Sequence, residues 1–116
     1  MSRLTLATLG LLLFAPVHAS AQGVLILQDN TPWGSSYWYT TLSGMGLGYS
    51  ELGSSSIPSV DLTPYDLVIV PSQQPADFNA NMNAYMNKFQ TYVDGGGRLI
   101  LMLSTWTANT PFLTTL

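Results

Sequence analysis

The sequence predicts an α/β domain built on a small, doubly wound parallel sheet of about four strands in the order 2-1-3-4. Three observations carry that expectation. Short apolar runs without alternation, such as Val24-Leu25-Ile26-Leu27 and Leu67-Val68-Ile69-Val70, describe strands buried on both faces. Between them lie segments whose apolar residues recur at helical spacing and stop at glycines. The resulting order (strand, helix, strand, strand, helix, strand) calls for crossover connections, which return the chain parallel to itself.

Val24 to Leu27 is the first strand, closed by Gln28-Asp29-Asn30. Thr31-Pro32-Trp33-Gly34 is a turn, and Ser35 or Ser36 stands where an N-cap belongs. Tyr37, Trp38, Thr41, Leu42 and Met45 then form a helical stripe. Gly44, Gly46 and Gly48 end it, with Gly46 or Gly48 as the left-handed cap. Tyr49 to Leu52 is a short second strand, and Gly53 to Pro64 is a Ser/Pro connector. Leu67 to Val70 is the third strand, shut off by Pro71 to Pro75. Asp77 is placed to cap one long helix, whose single stripe runs Phe78, Met82, Tyr85 or Met86, Phe89, Tyr92, Val93. Gly95-Gly96-Gly97 stops it, and Arg98 to Leu103 is the fourth strand. Thr105 to Leu116 shows no helical pattern, so the face over strand four is expected to lack cover. Either the chain is a fragment of a longer protein, the favoured reading, or that edge pairs with a partner, including a second copy.

Met1 to Ala21 reads as an export leader. Arg3 is followed by the apolar run Leu4 to Phe14, then Pro16 and the small residues Ala19-Ser20-Ala21. Cleavage after Ala19 or Ala21 both fit. The run falls well short of the ~20 residues of a spanning helix, so no stable membrane span is expected after cleavage. The domain is then residues 22–116, truncated at its C-terminus on the fragment reading, in the periplasm or outside the cell. Loss of the leader removes Arg3 and the single histidine, His18, leaving Lys88 and Arg98 against six carboxylates. Nucleic acid is excluded as a partner, because phosphate binding needs clustered cations. The chain has no cysteine, hence no disulfide and no thiolate nucleophile.

Four stretches carry a resemblance: Val24-Leu25-Ile26-Leu27-Gln28-Asp29, the helix exit Leu47-Gly48-Tyr49, Leu62-Thr63-Pro64-Tyr65-Asp66-Leu67-Val68-Ile69-Val70, and Tyr92-Val93-Asp94-Gly95-Gly96-Gly97-Arg98-Leu99-Ile100-Leu101. Together they resemble the flavodoxin-like half of class I glutamine amidotransferase-like domains, as found in exported proteins, over most of residues 23–104. The resemblance implies a cysteine nucleophile after strand four with a histidine base, and a glycine pair after strand three. Here the corresponding residues are Ser104, followed by Thr105 and Trp106, and Ser72-Gln73-Gln74. The departures imply a non-catalytic member.

Ligands of a doubly wound sheet bind at the carboxyl ends of its strands, near the switch between strands one and three. That rim gathers Asp29, Asn30, Thr31, Trp33, Ser35, Ser36, Ser72, Gln73, Gln74, Ser104 and Thr105. Their hydroxyls and amides suit a polyol or sugar, with Trp33 or Tyr37 stacking on its apolar face. The same groups also serve to satisfy loop backbone and cap a helix. Of Tyr37-Trp38-Tyr39, one or two should face the core. No cofactor and no metal are expected, since spaced carboxylates are missing and Thr31 to Ser36 has neither a Gly-rich fingerprint nor a lysine. The expected function is an exported, non-catalytic module with a structural role or one in binding a small polar ligand or a protein. The alternatives are a divergent hydrolase using Ser104 or completed by missing sequence, and a flavin-binding redox carrier using the Thr31 to Ser36 loop.

Overall fold

The computed structural model describes residues 23–102. Four strands, β1 (Val24–Leu27), β2 (Tyr49–Leu52), β3 (Leu67–Val70) and β4 (Arg98–Leu101), form one sheet in the order β2-β1-β3-β4. Every pairing is parallel: Val24 registers with Tyr49 and with Leu67, and Leu67 with Arg98. The expected fold class and strand order are both present. Strand four ends at Leu101 within the described residues, and Leu103, Ser104 and Thr105 to Leu116 lie outside them, as does the leader.

Alternation along the strands sorts their side chains onto two faces. Leu25, Leu27, Val68 and Val70 point to one, where Ile57, Leu62, Phe78, Met82, Met86, Phe89 and Tyr92 close over them. Val24, Ile26 and Ile69 point to the other, where Leu42 is the one further buried residue of the cluster and Trp38, Tyr39 and Leu67 pack around it.

Helix α1 (Tyr37–Gly44) covers the second face. Its stripe is displaced from the expected one: Tyr37 and Met45 are exposed, while Trp38, Tyr39 and Leu42 turn inward. Two of the three consecutive aromatics therefore pack and one does not. Ser36 occupies the N-cap position without a side-chain cap bond; the Ser35 hydroxyl instead accepts from the Tyr37 N–H at 3.2 Å. The helix ends in a Schellman motif. Gly46 takes φ +72°, its N–H reaching Ser43 O at 3.0 Å while Leu47 N–H reaches Leu42 O at 2.9 Å.

The long helix expected after β3 is two helices, α2 (Ala76–Ala84) and α3 (Met86–Asp94), broken at Tyr85 with φ −114° and ψ 24°. Asn79, Asn81, Asn83 and Asn87 are poor helix formers, so little local propensity holds the axis straight. The break lets Met86 rather than Tyr85 continue the buried row Phe78, Met82, Phe89, Tyr92, and Val93 stays exposed. Pro75, not Asp77, is the N-cap of α2; Asp77 sits in the first turn, where a carboxylate suits the helix dipole. The Ser/Pro connector is anchored from beneath. Lys88 Nζ donates to the carbonyls of Ile57, Pro58 and Val60 at 2.9, 3.0 and 2.9 Å.

Candidate binding rim at the carboxyl ends of the strands

The loops after β1 and β3 meet at the switch of the sheet, and two adjacent glutamines stitch them together. Gln74 is buried, and its side chain is wholly spent on backbone. Its Oε1 accepts from the Asp29 and Asn30 N–H groups at 2.7 and 3.1 Å, while its Nε2 donates to Asn30 O and Ser72 O at 2.9 and 3.1 Å. Gln73 reaches the same loop further out, its Oε1 accepting from the Trp33 N–H at 2.6 Å.

Trp33 and Gln73 share a second property. They are the two non-glycine residues with positive φ among the described residues, at +48° and +64°. Left-handed backbone is costly for large side chains, about 1–3 kcal/mol each, and persists where its surroundings over-determine it. The hydrogen bond between them joins the two strained residues across the crevice. Pro32, buried and rigid in φ, precedes Trp33 in a short 3-10 turn, Pro32–Gly34. The Trp33 ring is left 70% exposed, and Tyr37 close by in sequence is 65% exposed.

The remaining rim residues divide into groups with partners and groups without. Both carboxylate oxygens of Asp29 are engaged by Ser54, from its N–H at 2.7 Å and its hydroxyl at 2.6 Å. Asp29 and Gln74, read from the sequence as ligand-facing, thus hold the loops, because exposed loop ends first need their own backbone satisfied. Ser72 is buried behind Gln74. Ser35 caps locally, and Ser36 gives its carbonyl to the Thr40 N–H and hydroxyl. Asn30, Thr31, Ser35 and Ser36 are exposed, and Gln73 is half-buried. Ser104 is outside the described residues.

Sequence reading missed a polar cluster beside this rim. Gln28, buried at the end of β1, donates from Nε2 to the Tyr39 hydroxyl and, at 3.1 Å, to Glu51 Oε1. Burial, then the Glu51 carboxylate bonded to it, hold the Tyr39 phenol above its ordinary pKa of 10.0. Tyr39 also packs on Tyr49, ring centroids 5.3 Å apart. The cluster ties α1 to the edge strand β2; a glutamine ending an apolar strand was its one signal.

At the opposite, amino end of the sheet lies an open groove of about 970 Å³ between the residues before β3, α3 and the glycine turn. Lys88, Arg98, Asp61 and Asp66 line it. Asp61 closes a turn by accepting from the Thr63 N–H and hydroxyl at 3.0 and 2.7 Å, and the Thr63 bonds hold its carboxyl below the ordinary value. Tyr92 forms a wall, its hydroxyl donating to Tyr65 O at 2.9 Å. A Cβ on Gly97 would run into the Tyr92 ring, so glycine is required there. Among the described residues no three His, Cys, Asp or Glu side chains converge to hold a metal ion, and no helix is long and apolar enough to cross a membrane.

Comparison with known proteins gives one informative match. An uncharacterized protein of Clostridium acetobutylicum is 32% identical over 78 residues, which take in 66% of this chain and 8% of that protein. This chain therefore corresponds to a small part of the relative's length. No family model matches, and no solved structure matches.

Proposed function

We propose that the chain is an exported, non-catalytic α/β binding module whose binding surface is the rim around Trp33. The observation that carries this reading is the strained Trp33–Gln73 pair. The fold spends free energy to hold a large aromatic ring in water, and a ligand is what repays such an arrangement. The leader pattern of Met1 to Ala21 supports the export. The lack of a cysteine anywhere, and of a histidine beyond the leader, supports a module without the amidotransferase chemistry that its sequence resembles. On this reading the module is a non-catalytic member of the glutamine amidotransferase-like group.

The address is tested by the intact mass of the product recovered from the envelope and medium of the source cells; a mass retaining Met1 to Ala19 rejects cleavage. The surface is tested by screening the isotope-labelled full chain by NMR against fragments comprising neutral polyols, short peptides and nucleotides. Shifts gathered on residues 29–36 and 72–74 support the rim. Hits confined to the groove lined by Tyr65 and Arg98 reject it.

A further inference from the structure

Resting on that reading of the rim, we infer that its ligand is a neutral saccharide, bound by stacking on Trp33. Subtracting the polar groups that the fold itself consumes identifies the chemistry. Gln74, both oxygens of Asp29, Oε1 of Gln73 and the hydroxyl of Ser35 are engaged within the protein. The Thr31 side chain bonds to Tyr39. Among the described residues, what remains at the surface is the Asn30 side-chain amide, the Gln73 Nε2 donors and the Ser36 hydroxyl, with the exposed rings of Trp33 and Tyr37.

Every one of those free groups is uncharged. Both cations of residues 23–102, Lys88 and Arg98, line the groove at the opposite end of the sheet, so an anionic ligand has no counter-charge at the rim. The rim carboxylate, Asp29, is exposed and keeps its charge, but each of its oxygens spends a lone pair on Ser54 and so holds that loop. A neutral ligand with many hydroxyls and one flat C–H face fits both halves of the inventory. Amides and a hydroxyl bond its edges, and the exposed indole, carried on a backbone pinned by the bond from Trp33 N–H to Gln73 Oε1, covers its face.

The test is titration of the full chain with cellohexaose, maltohexaose and chitohexaose, followed by NMR at the Trp33 indole and the Asn30 and Gln73 side-chain amides. At least one sugar should move all three signals. Trp33→Ala should weaken that binding by about tenfold or more, as loss of a stacked, desolvated aromatic does. Trp33→Tyr, which keeps a smaller stacking face, should retain part of it. Both variants should keep the amide spectrum of the folded core, since the ring packs on none of it. If short peptides shift the rim and the three sugars do not, the saccharide assignment fails while the rim survives as a binding surface. If no probe shifts the rim, both fail.

Discussion

One face of the sheet carries α2, α3 and the serine-rich connector; among the described residues the other carries α1 alone. On the covered face Phe78, Phe89 and Met82 are completely buried, and Tyr92 closes the end by bonding to Tyr65 O. On the sparse face Ile69 is buried under α1, yet its neighbour across the ladder, Ile100, is 39% exposed, and Met102 is 40% exposed. The same strands thus feed a full core and a half-built one. A parallel strand needs cover on both sides, and among the described residues the cover on one side stops at β3. The lesson is that stability and exposure are divided between faces, while the proposed binding rim lies at the end where both meet.

The comparison breaks most sharply with Phe89→Ala. Removing a fully buried phenylalanine should cost about 3–5 kcal/mol, enough to unfold most of a domain this small. Urea melts followed by circular dichroism check it. Gln74→Ala should come next. It strands two backbone N–H groups and two carbonyls at the junction of the loops, for a loss of about 2–3 kcal/mol. Leu42→Ala, on the sparse face, should cost ~2 kcal/mol, at the low end for buried leucine, because few neighbours lose contact. A melt showing Leu42→Ala as damaging as Phe89→Ala would mean that the faces are equally packed.

Two smaller effects sharpen the picture. Tyr39 ionises harder folded than unfolded, so its neutral form contributes stability that is complete below pH 10.0 and is lost as pH rises through its higher folded value. Tyr39→Phe should lower stability at neutral pH by about 1 kcal/mol, the net value of a hydrogen bond, and flatten the alkaline fall. Stability curves from pH 8 upward for both proteins measure the difference. The smallest effect belongs to Ile100→Thr. A position 39% exposed among the described residues should change stability by only about 0.5 kcal/mol. A loss several times larger would show that something covers Ile100 in solution.

Much of this was legible in the chain. Apolar runs named strands one, three and four, and glycines at 46 and 95–97 marked where helices stop, because those signals are local and each depends on a few adjacent residues; β2, Tyr-Ser-Glu-Leu, has no such run and was placed by its position after the helix. The Tyr85 break was not legible, since Tyr85 and Met86 suit one apolar stripe equally well and only packing against the sheet chooses Met86. At the site, topology pointed to the rim, yet composition alone offered Gln74 and Asp29 as ligand-facing. Their actual partners, the backbone of residues 29–30 and Ser54, come from loops separated by tens of positions. Likewise no local pattern announces a left-handed tryptophan.

By itself, then, the sequence determined the class of fold, the parallel order and the lack of basic residues at the rim, because periodicity, turn chemistry and composition act over short spans of chain. Tertiary structure alone decided which polar groups the protein spends on itself, which aromatic stays in water and, among the described residues, which face of the sheet is the less covered. Those outcomes depend on which distant segments compete for the same hydrogen bonds and the same apolar surface, and that competition is settled only when the segments meet.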